Sequence, residues 1–72
     1  MLNTEERVLQ FHVENGALIR DNGRAYFELR ANELASTIGY SLAGMKNVRL
    51  DFLRGRWTVT GTAIFDKLKA TG

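Results

Sequence analysis

The chain contains no cysteine and no proline, and only one histidine, His12. Without cysteine there is no disulfide framework and no thiolate metal site, and a lone imidazole cannot build a zinc centre. The usual staples of a small domain are therefore missing, and stability must come from an apolar core, with or without a partner subunit. Long hydrophobic runs are also missing: the longest are three residues, such as Ala17-Leu18-Ile19 and Ala63-Ile64-Phe65. A membrane span needs about 20 apolar residues, so none is expected. Met1-Leu2-Asn3-Thr4-Glu5-Glu6 is acidic and lacks the basic start and apolar middle of a secretory signal, which makes the cytoplasm the expected compartment. There is no phosphate-cradling glycine loop, no Cys nucleophile and no His/Cys/Asp cluster at metal-ligand spacing. Ser36 and Ser41 have only His12 as a conceivable base, and no motif connects them. The expectation is a protein that is not an enzyme and takes no cofactor or metal, with His12 on a helix face or at the edge of the core.

What is present is ordinary for a globular domain: 72 residues, 44% hydrophobic and 25% charged. One domain, residues 1–72, accounts for this length. A chain so short buries about 60% of its unfolded surface. The net charge of +2 hides an asymmetry. Residues 1–40 carry four arginines against six carboxylates, and residues 41–72 carry six cations against two. The C-terminal half can face a polyanion while the acidic half faces away, although scatter over a solvated surface also produces such a split.

With proline absent, glycine and asparagine punctuate the chain. Residues 4–15 read as a helix: Asn3 and Glu6 have capping-box spacing, Val8, Leu9, His12 and Val13 can share a face, and Gly16 is a natural stop. A strand competes, because Leu9, Phe11 and Val13 alternate with Gln10, His12 and Glu14; the caps favour the helix. Residues 17–29 read as a hairpin, with Asp21-Asn22-Gly23-Arg24 as its tight turn and Ala25-Tyr26-Phe27-Glu28-Leu29 as its second strand. Residues 31–39 read as a short helix with Leu34, Ala35 and Ile38 on its apolar face, ended by Gly39. Ser41 then caps a second helix over 42–53, with Leu42, Met45, Val48, Phe52 and Leu53 on one face. Here too a strand competes: Val48, Leu50 and Phe52 alternate with Arg49 and Asp51, and with Arg54-Gly55-Arg56 and Trp57-Thr58-Val59-Thr60 they can form a hairpin. Trp57 and Val59 alternate with Thr58 and Thr60 as a strand does. Ala63-Ile64-Phe65 either returns as another strand or opens a closing helix through Leu68.

The most informative spacing runs from Ala31 to Leu50. Two helices joined tightly need a small residue at their crossing, here Ala35. They also need a left-handed residue in the turn, here Gly39, and apolar residues on the second helix, here Met45 and Val48. This pattern resembles the helix-turn-helix of DNA-binding proteins. The wider order, with Gly55 and the Trp57/Val59 strand following, resembles the winged-helix version from about Thr4 to Phe65. The resemblance implies an α+β fold: a small winged helix-turn-helix domain with a helical core and a short antiparallel sheet or hairpin, in which Phe27 and Leu29 pair with the 57–60 strand. Gly44, in the first turn of the second helix, departs from the pattern and weakens that helix by about 1 kcal/mol relative to alanine.

The resemblance further implies sequence-specific binding of double-stranded DNA, as a small transcriptional regulator or accessory DNA-binding protein. The helix 42–53 would enter the major groove, and a basic wing, 54–62, would meet the backbone. Ser41, Leu42, Ala43, Lys46, Asn47 and Leu50 would lie near the bases, with Asn47 suited to adenine and Lys46 or Arg49 to guanine or phosphate. Arg54 and Arg56 would flank the wing, and Thr58 and Thr60 would donate hydroxyls to phosphate. A homodimer is expected, because a unit this small makes few phosphate contacts; Phe11, Ile64, Phe65 and Leu68 are candidates for its interface. The alternative is a protein-binding module, a small accessory or inhibitor protein, with Tyr40, Leu50 and Trp57 as anchors.

Overall fold

The computed structural model describes residues 3–14 and 20–67. Strand β1 (Thr4–His12) is followed by a short 3-10 turn (Asp21–Gly23), helix α1 (Arg24–Ile38), strand β2 (Ser41–Leu53) and strand β3 (Arg56–Asp66). The strands form one antiparallel sheet in the order β1–β3–β2, with α1 packed on one face. The class α+β holds, but the winged helix-turn-helix with a helical core does not. One helix covers a three-stranded sheet, and the second helix of the motif is absent.

Residues 4–12 form a strand rather than a helix because alternation outweighs the caps. Glu5, Arg7, Leu9, Phe11 and Val13 are half-buried and their even-numbered neighbours exposed. A helix would put Val8 beside Leu9 in the core; the strand leaves Val8 75% exposed. The Ala17–Ile19 strand and the Gly16 stop lie outside the described residues.

Asp21, Asn22 and Gly23 do adopt positive φ (54°, 55° and 84°), yet they start a helix instead of joining two strands. Residues 24–38 form one 15-residue helix, so neither the strand at 25–29 nor its pairing with 57–60 exists. The buried stripe is Phe27, Ala31 and Ala35, spaced by four. Two alanines on this stripe let the helix axis lie close to the sheet. Gly39 (φ 78°) ends the helix as expected, and the Tyr40 N–H closes it on the Ala35 carbonyl at 2.8 Å.

The expected recognition helix, 42–53, is β2. Its helical spacing is produced by two bulges. Pairing with β3 runs Leu42↔Phe65, then skips Ala43 to Gly44↔Ile64; it runs Lys46↔Thr62, then skips Asn47 and Val48 to Arg49↔Thr60. Each inserted residue shifts the pleat, so Leu42, Met45, Val48 and Leu50 all pack toward α1. Asn47 (φ 57°) sits at the second bulge. Gly44 is a strand residue opposite Ile64 and weakens no helix. The rival hairpin reading is the one the structure adopts. Arg54 (φ 52°) and Gly55 (φ 77°) form a two-residue turn with both central residues at positive φ, which matches the twist of the flanking strands. Ala63-Ile64-Phe65 lies within β3.

The core sits between α1 and β3, the central strand. Phe27, Ala31 and Ala35 meet Val59, Ala63 and Phe65, with Leu9, Phe11, Leu42, Met45, Val48 and Leu50 at the margins. Phe11 and Phe27 meet edge-on at 5.5 Å between centroids. Gly61 lies on the same face, opposite the second bulge. A Cβ there would come within 2.9 Å of Val48 Cγ2 and 3.2 Å of Phe27 Cε2, so the closest packing in the core depends on its hydrogen side chain.

Candidate nucleic-acid interface

Because α1 covers one face of the sheet, every second residue of β1 and β3 projects from the other face, as does every second residue of β2 between its bulges. No described element lies across that open face. The registers place Glu6, Val8, Gln10 and His12 on β1, Thr58, Thr60, Thr62 and Ile64 on β3, and Lys46, Arg49 and Asp51 on β2. The centre of the face is thus a ladder of threonine hydroxyls, flanked by cations on the β2 side and by Gln10 and His12 on the β1 side.

Contacts across the face agree with this placement. Lys46 Nζ lies 3.0 Å from Glu6 Oε1, bridging over β3, and Arg49 Nε lies 3.2 Å from Asp51 Oδ2. Thr58, only 1% exposed, has its hydroxyl 3.4 Å from His12 Nδ1. Arg54 and Arg56, at the hairpin end, make no ion pair among the described residues. Two shallow depressions mark the face. One, of about 460 Å³, lies around Val8, Arg49, Thr60 and Thr62. The other, of about 500 Å³, lies among Gln10, His12, Leu53, Arg54, Arg56 and Thr58. The second offers guanidinium, imidazole and amide groups with no carboxylate in its lining, a donor set suited to phosphate oxygens.

Five of the ten residues expected at the site come together here: Lys46, Arg49, Arg56 and Thr58 on the open face and Arg54 at the turn. Leu42 and Leu50 do not. Both are half-buried against the core, so neither reads a base. Ser41 is exposed at the start of β2, Ala43 at the first bulge and Asn47 at the second. Val8, Gln10, His12 and Thr62 belong to the face and escape the sequence reading; the alternation through 8–13 is the signal for the first three. His12 is on an exposed strand position, not on a helix.

Of the proposed protein anchors, Tyr40 packs beside Phe65 at 6.3 Å between centroids and Leu50 is half-buried, whereas Trp57 is 46% exposed. Of the proposed dimer contacts, Phe65 is fully buried, Phe11 is packed on Phe27, Ile64 is half-buried and Leu68 lies outside the described residues. Phe65 and Phe11 build the core itself, and Ile64 lies on the open face. Among the described residues, no helix is long and apolar enough to cross a membrane, and no group of three or more His, Cys, Asp or Glu is placed to hold a metal ion.

Compared with known proteins, the chain matches no protein-family model, no curated protein and no solved structure.

Proposed function

We propose that this chain is a nucleic-acid-binding module that engages double-stranded DNA through the open face of its sheet, with the β2–β3 ribbon leading. The observation that carries the reading is the gathering of Thr58, Thr60, Lys46, Arg49, Arg54 and Arg56 on one two-stranded ribbon. Paired strands lie about 4.8 Å apart. A ribbon of that width fits the major groove, about 12 Å across, where an α-helix is the other common occupant. The α-helix offers no net positive charge to phosphates, because Arg24 and Arg30 are balanced by Glu28 and Glu33, and Arg30 is 3.5 Å from Glu33. The helix is charge-balanced, and the excess of cations lies on the hairpin, which faces the polyanion.

In this reading Arg54 and Arg56 take phosphates, Thr60 and Thr62 donate hydroxyls, and Lys46, Arg49 and Asn47 lie nearest the bases; Thr58, 1% exposed, lies beneath His12. The module binds and performs no chemistry of its own. It works in the cytoplasm as a regulator or accessory factor. The test is fluorescence anisotropy against mixed-sequence duplex at low and physiological salt. Binding should fall steeply with salt, and each lost phosphate contact should flatten the log–log slope by about 0.9. Absence of binding at low salt would refute the reading.

A protein-binding reading has its own observation. Phe52 and Trp57 face each other across the hairpin, edge-on at 5.0 Å, and both are about half exposed (58% and 46%). By strand parity they lie on the helix side of the sheet, away from the open face. A partner held there would be lost on Trp57→Ala and would tolerate salt.

A further inference from the structure

The sheet has two outer edges, and they differ. β2 is broken by two bulges and holds Asn47 at positive φ, features that blunt an edge against further pairing. β1 is regular, pairing with β3 over nine consecutive residues without a shift, and no described strand lies on its other side. At its middle is Val8, 75% exposed.

The direction of the free backbone groups follows from two hydrogen bonds at the ends of this pairing. Val13 N–H donates to the Trp57 carbonyl at 2.9 Å, and Lys67 N–H donates to the Asn3 carbonyl at 2.7 Å. Asn3 and Val13 are both odd-numbered. In a regular antiparallel ladder, odd residues therefore turn their N–H and C=O toward β3, and even residues turn theirs outward. The outward set is Thr4, Glu6, Val8, Gln10 and His12. The His12 carbonyl already accepts from the Tyr26 hydroxyl at 3.3 Å, as an outward group can.

We propose that the β1 edge binds β1 of a second copy of this chain, antiparallel about a two-fold axis at Leu9. Three registers present outward groups to one another while keeping most of β1 paired, and the side chains choose among them. An axis at Arg7 sets Arg7 against itself. An axis at Val8 leaves the two Arg7 side chains as diagonal neighbours. The axis at Leu9 separates them and pairs Val8 with Gln10, and Glu6 with His12, of the second copy through backbone hydrogen bonds. On the open face it sets the Glu6 carboxylate against the His12 ring and brings the two Val8 side chains together diagonally. On the helix side Leu9 meets Leu9, and Arg7 meets Phe11 of the second copy. Arg30 already lies 5.7 Å from that ring, but each arginine brings its own carboxylate, Glu5 with Arg7 and Glu33 with Arg30. The product is a six-stranded sheet with one continuous open face and a β2–β3 ribbon at each end.

Sedimentation equilibrium and amide hydrogen exchange on the full chain test this. The wild type should sediment at twice 8.1 kDa, with the Val8 and Gln10 amides protected from exchange. Gln10→Pro removes an outward N–H that β3 does not use, so it should give a folded monomer. If circular dichroism shows that Gln10→Pro does not fold, Val8→Lys decides, because the added charges face each other across the axis and should weaken the dimer about tenfold or more. A wild type that stays monomeric at roughly 1 mM, a dimer whose Val8 and Gln10 amides exchange freely, or a dimer indifferent to the deciding variant would each overturn the proposal.

Discussion

Replacing Gly61 by alanine adds one methyl group at the tightest point of the core. The added Cβ would lie 2.9 Å from Val48 Cγ2, 3.1 Å from Val48 Cα and 3.2 Å from Phe27 Cε2. A side-chain methyl can swing aside; the Val48 Cα belongs to the bulge and cannot move without disturbing the β2 register. Overpacking of this kind costs about 1–3 kcal/mol. Removing a strand glycine returns about 0.5–1 kcal/mol through the unfolded chain. The net expectation is a loss of about 1–2 kcal/mol, from a total of roughly 4–11 kcal/mol for a chain of this length. Urea denaturation followed by circular dichroism reads it directly, and the melting temperature should fall by about 4–8 °C per kcal/mol. Val48→Ala removes part of the obstruction, so Gly61→Ala should cost less in that background, with a coupling of about 0.5 kcal/mol or more. A single variant as stable as the parent, or strict additivity in the double, would show that the close approach of bulge and central strand is not what requires glycine here.

Phe27 is fully buried and touches Phe11 edge-on, so Phe27→Ala should cost about 3–5 kcal/mol and leave the chain largely unfolded at 37 °C, read by near-UV circular dichroism. Gly44 and Gly55 should respond in opposite directions in the same urea assay. Gly44→Ala meets only Ile64 Cδ1, at an ordinary 3.8 Å, and should gain about 0.5–1 kcal/mol. Gly55→Ala has open space around it but φ +77°, and should lose about 1 kcal/mol or more. Arg56→Ala should weaken duplex binding and flatten its salt dependence without changing the urea midpoint, whereas Glu28→Ala on the far side of the helix should change neither.

Five of the ten candidate residues fall together although most of the fold is not legible in the sequence, and the reason lies in β2. Cationic and hydroxyl residues can be picked out whatever backbone carries them, so Lys46, Arg49, Arg54, Arg56 and Thr58 are candidates even under the wrong secondary structure. The backbone itself is disguised. Bulges at Ala43 and at Asn47–Val48 stretch a two-residue period so that Leu42, Met45 and Val48 fall three apart, as on a helix. In β1, Asn3 and Glu6 imitate a capping box, but the core needs Leu9, Phe11 and Val13 on one side, which only the alternating reading provides. Asp21-Asn22-Gly23 signals positive φ correctly; nothing local distinguishes a turn that enters a strand from one that enters a helix. Gly39 reads correctly because a left-handed helix stop depends on its own few residues alone.

The strand order also governs how the chain can be made. β1 and β2 are synthesised before β3, yet neither pairs with the other; both pair only with β3. A ribosome adding about 5–20 residues per second therefore completes everything up to Gly55 before either outer strand has its partner. During that interval Leu9, Phe11, Leu42 and Val48 have no central strand to pack around, and only α1 can assemble from local contacts. Loss of the segment from Arg56 onward removes the seam of the molecule rather than its margin, leaving two unpaired strands and a helix with nothing to cover.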